Sequence, residues 1–195
     1  MEVAEAQREM RDVYLNGAPG QAVSAAVWLA SALFATWAST RIAVLALVVG
    51  GMAIYPLTQL ILRILGRPTS VSEANPLREL APQVAFIVPL VMPLAGVALL
   101  HRASWFYPAF MVIVGAHYLP FAFLYGRRAF LLLAGLLLFG GFGLAFVPSA
   151  PFAAGAWMTA SILAIFAGAS VPRSGPASGP TGARRADAKA RAHAG

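Results

Sequence analysis

The chain has 195 residues, 59% hydrophobic and 11% charged, with a mean hydropathy of +0.74 and a formal net charge of +7. A soluble domain carries about 25% charged residues, so this composition excludes an ordinary solvated globular surface. The chain contains no cysteine, which excludes disulfides, thiolate catalysis and Cys-based metal sites.

The elements follow in chain order. Met1 to Asn16 predicts a short amphipathic helix, with Val3, Ala6, Met10, Val13 and Tyr14 near one face and the acidic residues mostly opposite. Gly17, Pro19 and Gly20 break it, so residues 1–20 form an amphipathic N-terminal segment that either lies on a membrane surface or leads into the first span. Glu2, Glu5, Glu9 and Asp12 stand where a signal peptide would carry basic residues. Six apolar stretches come next, at Gln21–Ala38, Ile42–Leu62, Pro82–Leu100, Phe106–Tyr125, Phe130–Val147 and Phe152–Ala169. A bilayer core of about 30 Å needs about 20 residues per helix, so residues 21–170 are predicted to form one all-α bundle of six transmembrane helices. Residues 171–195 are rich in Pro, Gly, Ala and Arg and lack aromatic residues, which predicts a disordered basic tail.

Charge sets the expected orientation. With the N-terminus inside, the inner segments hold Arg8, Arg11, Arg63, Arg67, Arg78, Arg127, Arg128, Arg173, Arg184, Arg185, Lys189 and Arg191, while the outer loops hold only Arg41 and Arg102. That asymmetry places both termini in the cytoplasm. The basic residues flank spans or lie in the tail and form no folded basic face, so no nucleic-acid partner is expected; the expected partner is the lipid bilayer.

One strongly titratable side chain stands at bilayer depth, His117 in the fourth span, since no Asp or Glu falls inside any span. Such groups are functional candidates by default, although a neutral imidazole can also be satisfied by a neighbouring helix. Pro56, Pro89, Pro93 and Pro120 interrupt spans two to four and free the carbonyls of Met52, Ala85, Pro89 and Ala116. Depth counting puts Met52, Pro89 to Pro93 and His117 in one layer, with Thr58, Gln59 and Gln83 about two turns nearer the cytoplasm. If those helices adjoin, they frame a polar, kinked cavity; otherwise the prolines only bend helices and Gln59 bonds Gln83. Ala160, Ala164 and Gly168 in the sixth span, with Gly141 and Ala145 in the fifth, form small-residue faces suited to internal packing or to an oligomer contact. Asn75-Pro76-Leu77 is a helix-start signal, with Asn as cap and Pro in the first turn. His101, His117 and His193 lie too far apart to share a metal, and no nucleophile elbow, phosphate loop or carboxylate pair is present. No cofactor is expected.

Several ordered strings carry a resemblance: Gly50-Gly51-Met52, Pro56-Leu57-Thr58-Gln59-Leu60, Gly66-Arg67-Pro68, Asn75-Pro76-Leu77, Gln83-Val84-Ala85-Phe86, Trp105-Phe106-Tyr107-Pro108-Ala109-Phe110 and Gly115-Ala116-His117-Tyr118-Leu119-Pro120-Phe121. Over about residues 5 to 145 the chain resembles a family of small bacterial multi-pass membrane proteins of unknown function. The resemblance implies an integral protein of the bacterial cytoplasmic membrane and supplies no activity or site. The leading expectation is therefore non-enzymatic: binding or passage of a small neutral or amphiphilic molecule, or lipid, at His117, Tyr118, Gln59, Thr58 and Gln83. The second is a structural or accessory protein that joins a partner, or a second copy, through its Gly/Ala faces. An intramembrane lipid-modifying enzyme ranks last, because the acidic residues it would use are missing.

Overall fold

The computed structural model describes residues 1–147 and 149–171; the predicted basic tail lies outside the described residues apart from Val171. Within them the chain is 81% helical, with seven α-helices and no strand. They are α1 (Val3–Val13), α2 (Ala18–Trp37), α3 (Thr40–Ile64), α4 (Leu80–His101), α5 (Phe106–Leu124), α6 (Ala129–Ala145) and α7 (Ala154–Ser170), with 3-10 turns at Leu15–Gly17 and Ala103–Trp105. The four segments Leu15–Trp37, Thr40–Ile64, Leu80–His101 and Ala103–Leu124 are long and apolar enough to cross a membrane; α6 and α7, at 17 residues each, are shorter apolar helices. Each predicted span corresponds to one helix, and the ends shift by up to three residues.

Consecutive helices from α2 onward run antiparallel. The bundle therefore has a proximal end, which carries α1, the 65–79 loop and the α5–α6 turn, and a distal end, which carries the other turns. α2 packs on α3 and α7, α5 packs on α4 and α6, and α6 meets α7. α2 and α5 face each other through long side chains: Trp28 meets Phe110 edge-on, with ring centres 5.4 Å apart, and also touches Tyr107. The Ser31 hydroxyl donates to the Ala43 carbonyl at 2.9 Å and shares a 2.7 Å hydrogen bond with the Tyr107 hydroxyl. One buried node thus ties α2, α3 and α5. α5 and α6 approach at backbone distance, since a Cβ on Gly141 would sit 2.7 Å from the Pro108 carbonyl and one on Gly115 2.9 Å from the Leu138 amide. That closeness is what small residues permit where helices pack without solvent between them.

The small-residue stripe predicted on the last helix is split. Ala160 is buried, Ala164 and Gly168 are exposed, and the buried face runs instead through Gly155, Ala156, Thr159, Leu163, Ala167 and Ser170. α3 and α4 flank the bundle and bury few of their apolar residues; Leu90 is 75% exposed and Met52 68%. A water-facing surface of that kind would be an aggregation hazard; a lipid-facing one would not.

α1 neither trails into α2 nor stands free. Leu15 (φ 50°), Asn16 (φ 57°) and Gly17 (φ 83°) occupy the left-handed region in succession and fold α1 back across the proximal end. Gly17 alone suits that region without strain, and Asn16 recovers part of its cost by donating to the Ser170 carbonyl at 3.2 Å. The apolar face of α1 (Ala6, Met10, Val13) joins the core cluster that holds Val71, Leu77 and Leu124. Its polar residues bind the chain ends around it. Gln7 Nε2 and Arg11 Nη1 donate to the Phe123 and Tyr125 carbonyls, both at 2.6 Å; the first also accepts from the Gly126 amide, and the second is otherwise open at the end of α5. Arg67 Nη2 donates to the Asp12 carbonyl at 2.5 Å. The Glu9 carboxylate accepts from the Ser72 amide at 2.6 Å, the Ser72 hydroxyl at 3.1 Å and Asn75 Nδ2 at 2.8 Å. Asn75 does not cap α4, which starts five residues later at Leu80 with no side-chain cap. Its Oδ1 accepts from the Leu77 amide at 2.8 Å to close a local turn, and its amide also donates to the Ala6 carbonyl at 3.2 Å. The turn is held so that Asn75 can dock α1.

The Ser72 amide, then Asn75, hold the Glu9 carboxyl below its usual 4.5. A depressed carboxylate stabilises the folded form above the unfolded pKa, and that stability is lost as pH falls through the folded value. Hydrogen exchange of residues 3–13 is therefore expected to be slow at pH 7 and to rise, after correction for intrinsic rates, only below pH 4.5. Glu9→Gln is expected to exchange fast already at pH 7 and to show no further step; unchanged protection in that variant would mean that the clasp does not hold α1.

Candidate functional site

The face of α2 that looks at α5 carries Gln21, Ser24, Trp28 and Ser31, spaced by three and four residues, all buried. Its distal half is paired through Ser31 and Tyr107. Its proximal half is not: Gln21 is 3% exposed, and neither Nε2 nor Oε1 has a hydrogen-bond partner among the described residues. Thr159 and Asn75, also buried, are paired: Thr159 donates to the Gly155 carbonyl at 2.8 Å and Asn75 makes the bonds given above. An unpaired buried amide costs about 1–3 kcal/mol, and Gln21 is the one side chain among the described residues with both its polar atoms in that state; Gln59, His117 and Arg127 at the α5–α6 turn each leave one atom unpaired.

Two more orphaned atoms lie at the same depth. On α3, Gln59 Oε1 is buried without a partner, and on α5, His117 Nδ1 is too. The Gly20–Thr58 contact, at 3.7 Å from a Cβ built on Gly20, fixes the register of α2 against α3. The His117 ring lies against the Val84 backbone of α4 and meets Phe121 edge-on at 4.9 Å. Tyr118, 6% exposed, turns its hydroxyl toward Ser24 and its ring toward Phe121 and Phe130. The stack continues to Tyr125, whose ring is 5.9 Å from Phe121 and 5.2 Å from Phe130. Tyr14 closes this end from the α1 side. It is half-buried, its hydroxyl donates to the Thr69 carbonyl at 3.5 Å, and burial first, then the neighbouring Tyr55, push its phenol up.

The sequence-derived set is thus partly assembled. His117, Tyr118 and Gln59 reach one layer. Thr58 is beside it, but its hydroxyl is used within α3, on the Ile54 carbonyl at 2.7 Å. Gln83 is exposed on α4, and no Gln59–Gln83 bond forms, because α3 and α4 do not pack on each other. Pro56, Pro89 and Pro93 also face outward, and α3 and α4, like α5 at Pro120, run through their prolines without a break, so no proline-framed cavity forms between α3 and α4. Gln21 and Ser24 were overlooked; the signal for them was the polar stripe Gln21, Ser24, Ser31 at helical spacing in an otherwise apolar segment.

The layer offers neutral donors and acceptors and no carboxylate. Among the described residues no cluster of three His, Cys, Asp or Glu could hold a metal ion. A groove of about 240 Å³ between α4, α5 and α6 lies toward the distal end, lined by apolar residues such as Leu94, Val112, Ile113 and Phe142. It presents no polar group to a ligand and is separate from the Gln21 layer.

Replacing an unpaired buried amide by an apolar isostere removes the desolvation cost and keeps the volume. Gln21→Leu is expected to raise thermal stability in detergent, by about 1–3 kcal/mol. Trp28→Ala, on the same face, is expected to lose about 3–5 kcal/mol. A loss of stability in Gln21→Leu would mean that the amide is bonded in the folded protein.

No curated protein and no solved structure matches this chain. A family model does match, over residues 3–171, which takes in α1 and every helix of the bundle. The chain belongs to that family, a family of unknown function designated DUF7010.

Proposed function

We propose that this protein is a six-span protein of the bacterial cytoplasmic membrane, with both termini in the cytoplasm, that binds or passes a small neutral or amphiphilic molecule, or a lipid, at the layer of Gln21, Ser24, Gln59, His117 and Tyr118. The observation that carries the binding role is that three helices bring buried, unpartnered hydrogen-bonding atoms to one depth. A protein keeps such a cost where a ligand repays it.

Packing supports the reading of six spans. α6 runs beside α5 over most of its length, from the Gly141–Pro108 contact to the Phe130 ring against Phe121 and Tyr118. It therefore occupies the same depth as a helix long enough to cross. At about 1.5 Å per residue its 17 residues reach about 26 Å, within the mismatch a bilayer absorbs by thinning. The orientation is supported by Arg8, Arg11, Arg63, Arg67, Arg78, Arg127 and Arg128 at the proximal end against Arg41 and Arg102 at the distal end. The absence of cysteine makes the orientation easy to test. Ala103→Cys is expected to react with an impermeant maleimide on intact cells, and Ser70→Cys only after lysis; the reverse pattern would invert the protein.

The binding role is tested by native mass spectrometry of the detergent-purified protein, wild type beside Gln21→Leu and His117→Ala. A defined small molecule carried by wild type and lost from both variants is the expected result. A bare mass throughout would sink the binding role and favour an accessory protein. That second reading has its own support in Ala164 and Gly168, which are exposed on α7, with open space around Gly168. It requires that Gly168→Leu change the oligomeric state or the co-purifying partner in the same spectrum.

A further inference from the structure

We infer that the ligand of this layer is an uncharged amphiphile with a carboxamide-type head, a planar N–H beside C=O as in an amide, lactam or urea; the inference rests on the binding role proposed above. Gln21 and Gln59 supply the recognition. Gly20 faces Thr58 across the α2–α3 contact. One residue further along, each helix turns by about 100°, and because the helices are antiparallel these turns carry both glutamines to the same side of the pair. That side is the α5 side, as the burial of Gln21 beside Ser24 and Trp28 requires. Yet the two amides do not bond each other, since both polar atoms of Gln21 and Oε1 of Gln59 remain unpartnered among the described residues.

The vacant valences define a complement. A side-chain amide shows a donor and an acceptor in one plane. Gln21 Oε1 and Gln59 Oε1 are two acceptors, and Gln21 Nε2 is a donor. A primary amide fits this set: its two N–H groups go to the two oxygens, and its carbonyl accepts from Gln21 Nε2. His117 Nδ1, also unpartnered, can accept from a further donor, since the ring's one N–H is turned to the Val84 backbone. The ligand is uncharged because no Asp, Glu, Lys or Arg stands between Ala18 and Trp37, Ile42 and Leu62, Leu80 and Leu100 or Phe106 and Leu124, and an unpaired ion in such surroundings is costly. A flat apolar body suits the wall made by the His117, Tyr118 and Phe121 rings.

The probe is benzamide, titrated by equilibrium dialysis into the full-length protein in detergent, beside N,N-dimethylbenzamide, which keeps the carbonyl and loses both donors, and benzoate, which is ionised at pH 7. Saturable binding of benzamide is expected, weakened about tenfold or more by dimethylation and by either Gln21→Leu or Gln59→Leu, with no binding of benzoate. Failure of benzamide to saturate, equal affinity for the dimethyl compound, or tighter binding of benzoate would each overturn the inference. The wild-type comparison of the three probes stands even if a variant misfolds. A resident molecule in the native spectrum that lacks an N–H beside C=O would overturn this head-group assignment while leaving the binding role intact.

Discussion

A buried hydrogen-bonding group has no solvent to fall back on between helices of this kind, and the arrangement of the bundle follows from where its few polar side chains find partners. The clearest case is the Ser31–Tyr107 hydroxyl pair, which also reaches the Ala43 carbonyl. It joins α2, α3 and α5 at one point, and the Trp28, Phe110 and Tyr107 rings close around it. Apolar contacts between helices are weakly directional, so a hydroxyl that must be paired does more to fix the register of α2 against α5 than the leucines around it.

The same requirement explains the proximal cap. The Tyr125 carbonyl after α5 and the Asp12 carbonyl near the end of α1 are open acceptors that Arg11 and Arg67 close, and Gln7 adds a second donor to the Phe123 carbonyl. Glu9, Ser72 and Asn75 then lock the 65–79 loop onto α1. The cost is a run of left-handed residues at 15–17, two of them not glycine. Strain at Leu15 and Asn16 is tolerated because nine hydrogen bonds (Gln7, Arg11, Tyr14, Asn16, Arg67, Ser72 twice, Asn75 twice) hold the folded-back segment in place.

Against that background the Gln21 layer stands out. It lies between the paired Ser31 node and the paired cap, and the distance from Gln21 to Ser31 is under three turns of one helix. A chain that satisfies Thr159, Asn75 and Ser31 could have placed leucine at position 21. The orphaned atoms on α2, α3 and α5, gathered under Tyr14 and beside an aromatic stack, are what make this the candidate site, in preference to the wholly apolar groove at the distal end.

The number, type and approximate ends of the bundle helices were legible in the sequence, because a run of apolar residues of helical length leaves no other structure for its backbone. The amphipathic N-terminal helix, the charge asymmetry between the two ends and His117, Tyr118 and Gln59 as residues of interest were legible for similar reasons of composition and spacing. The neighbours were not. Whether α3 and α4 adjoin depends on which faces fit at close range, and that decided against Gln83 and the prolines. Close approach at Gly115 and Gly141 draws α6 onto α5, and no period in the sequence marks those glycines above the others. Gln21 sat at the edge of a predicted span, where a glutamine is ordinarily solvated; it is buried because the α2 face it shares with Ser24 and Trp28 is turned toward α5, more than 80 positions away in sequence. Local pattern thus determined the helices, and long-range pairing of polar groups decided which of them share a site.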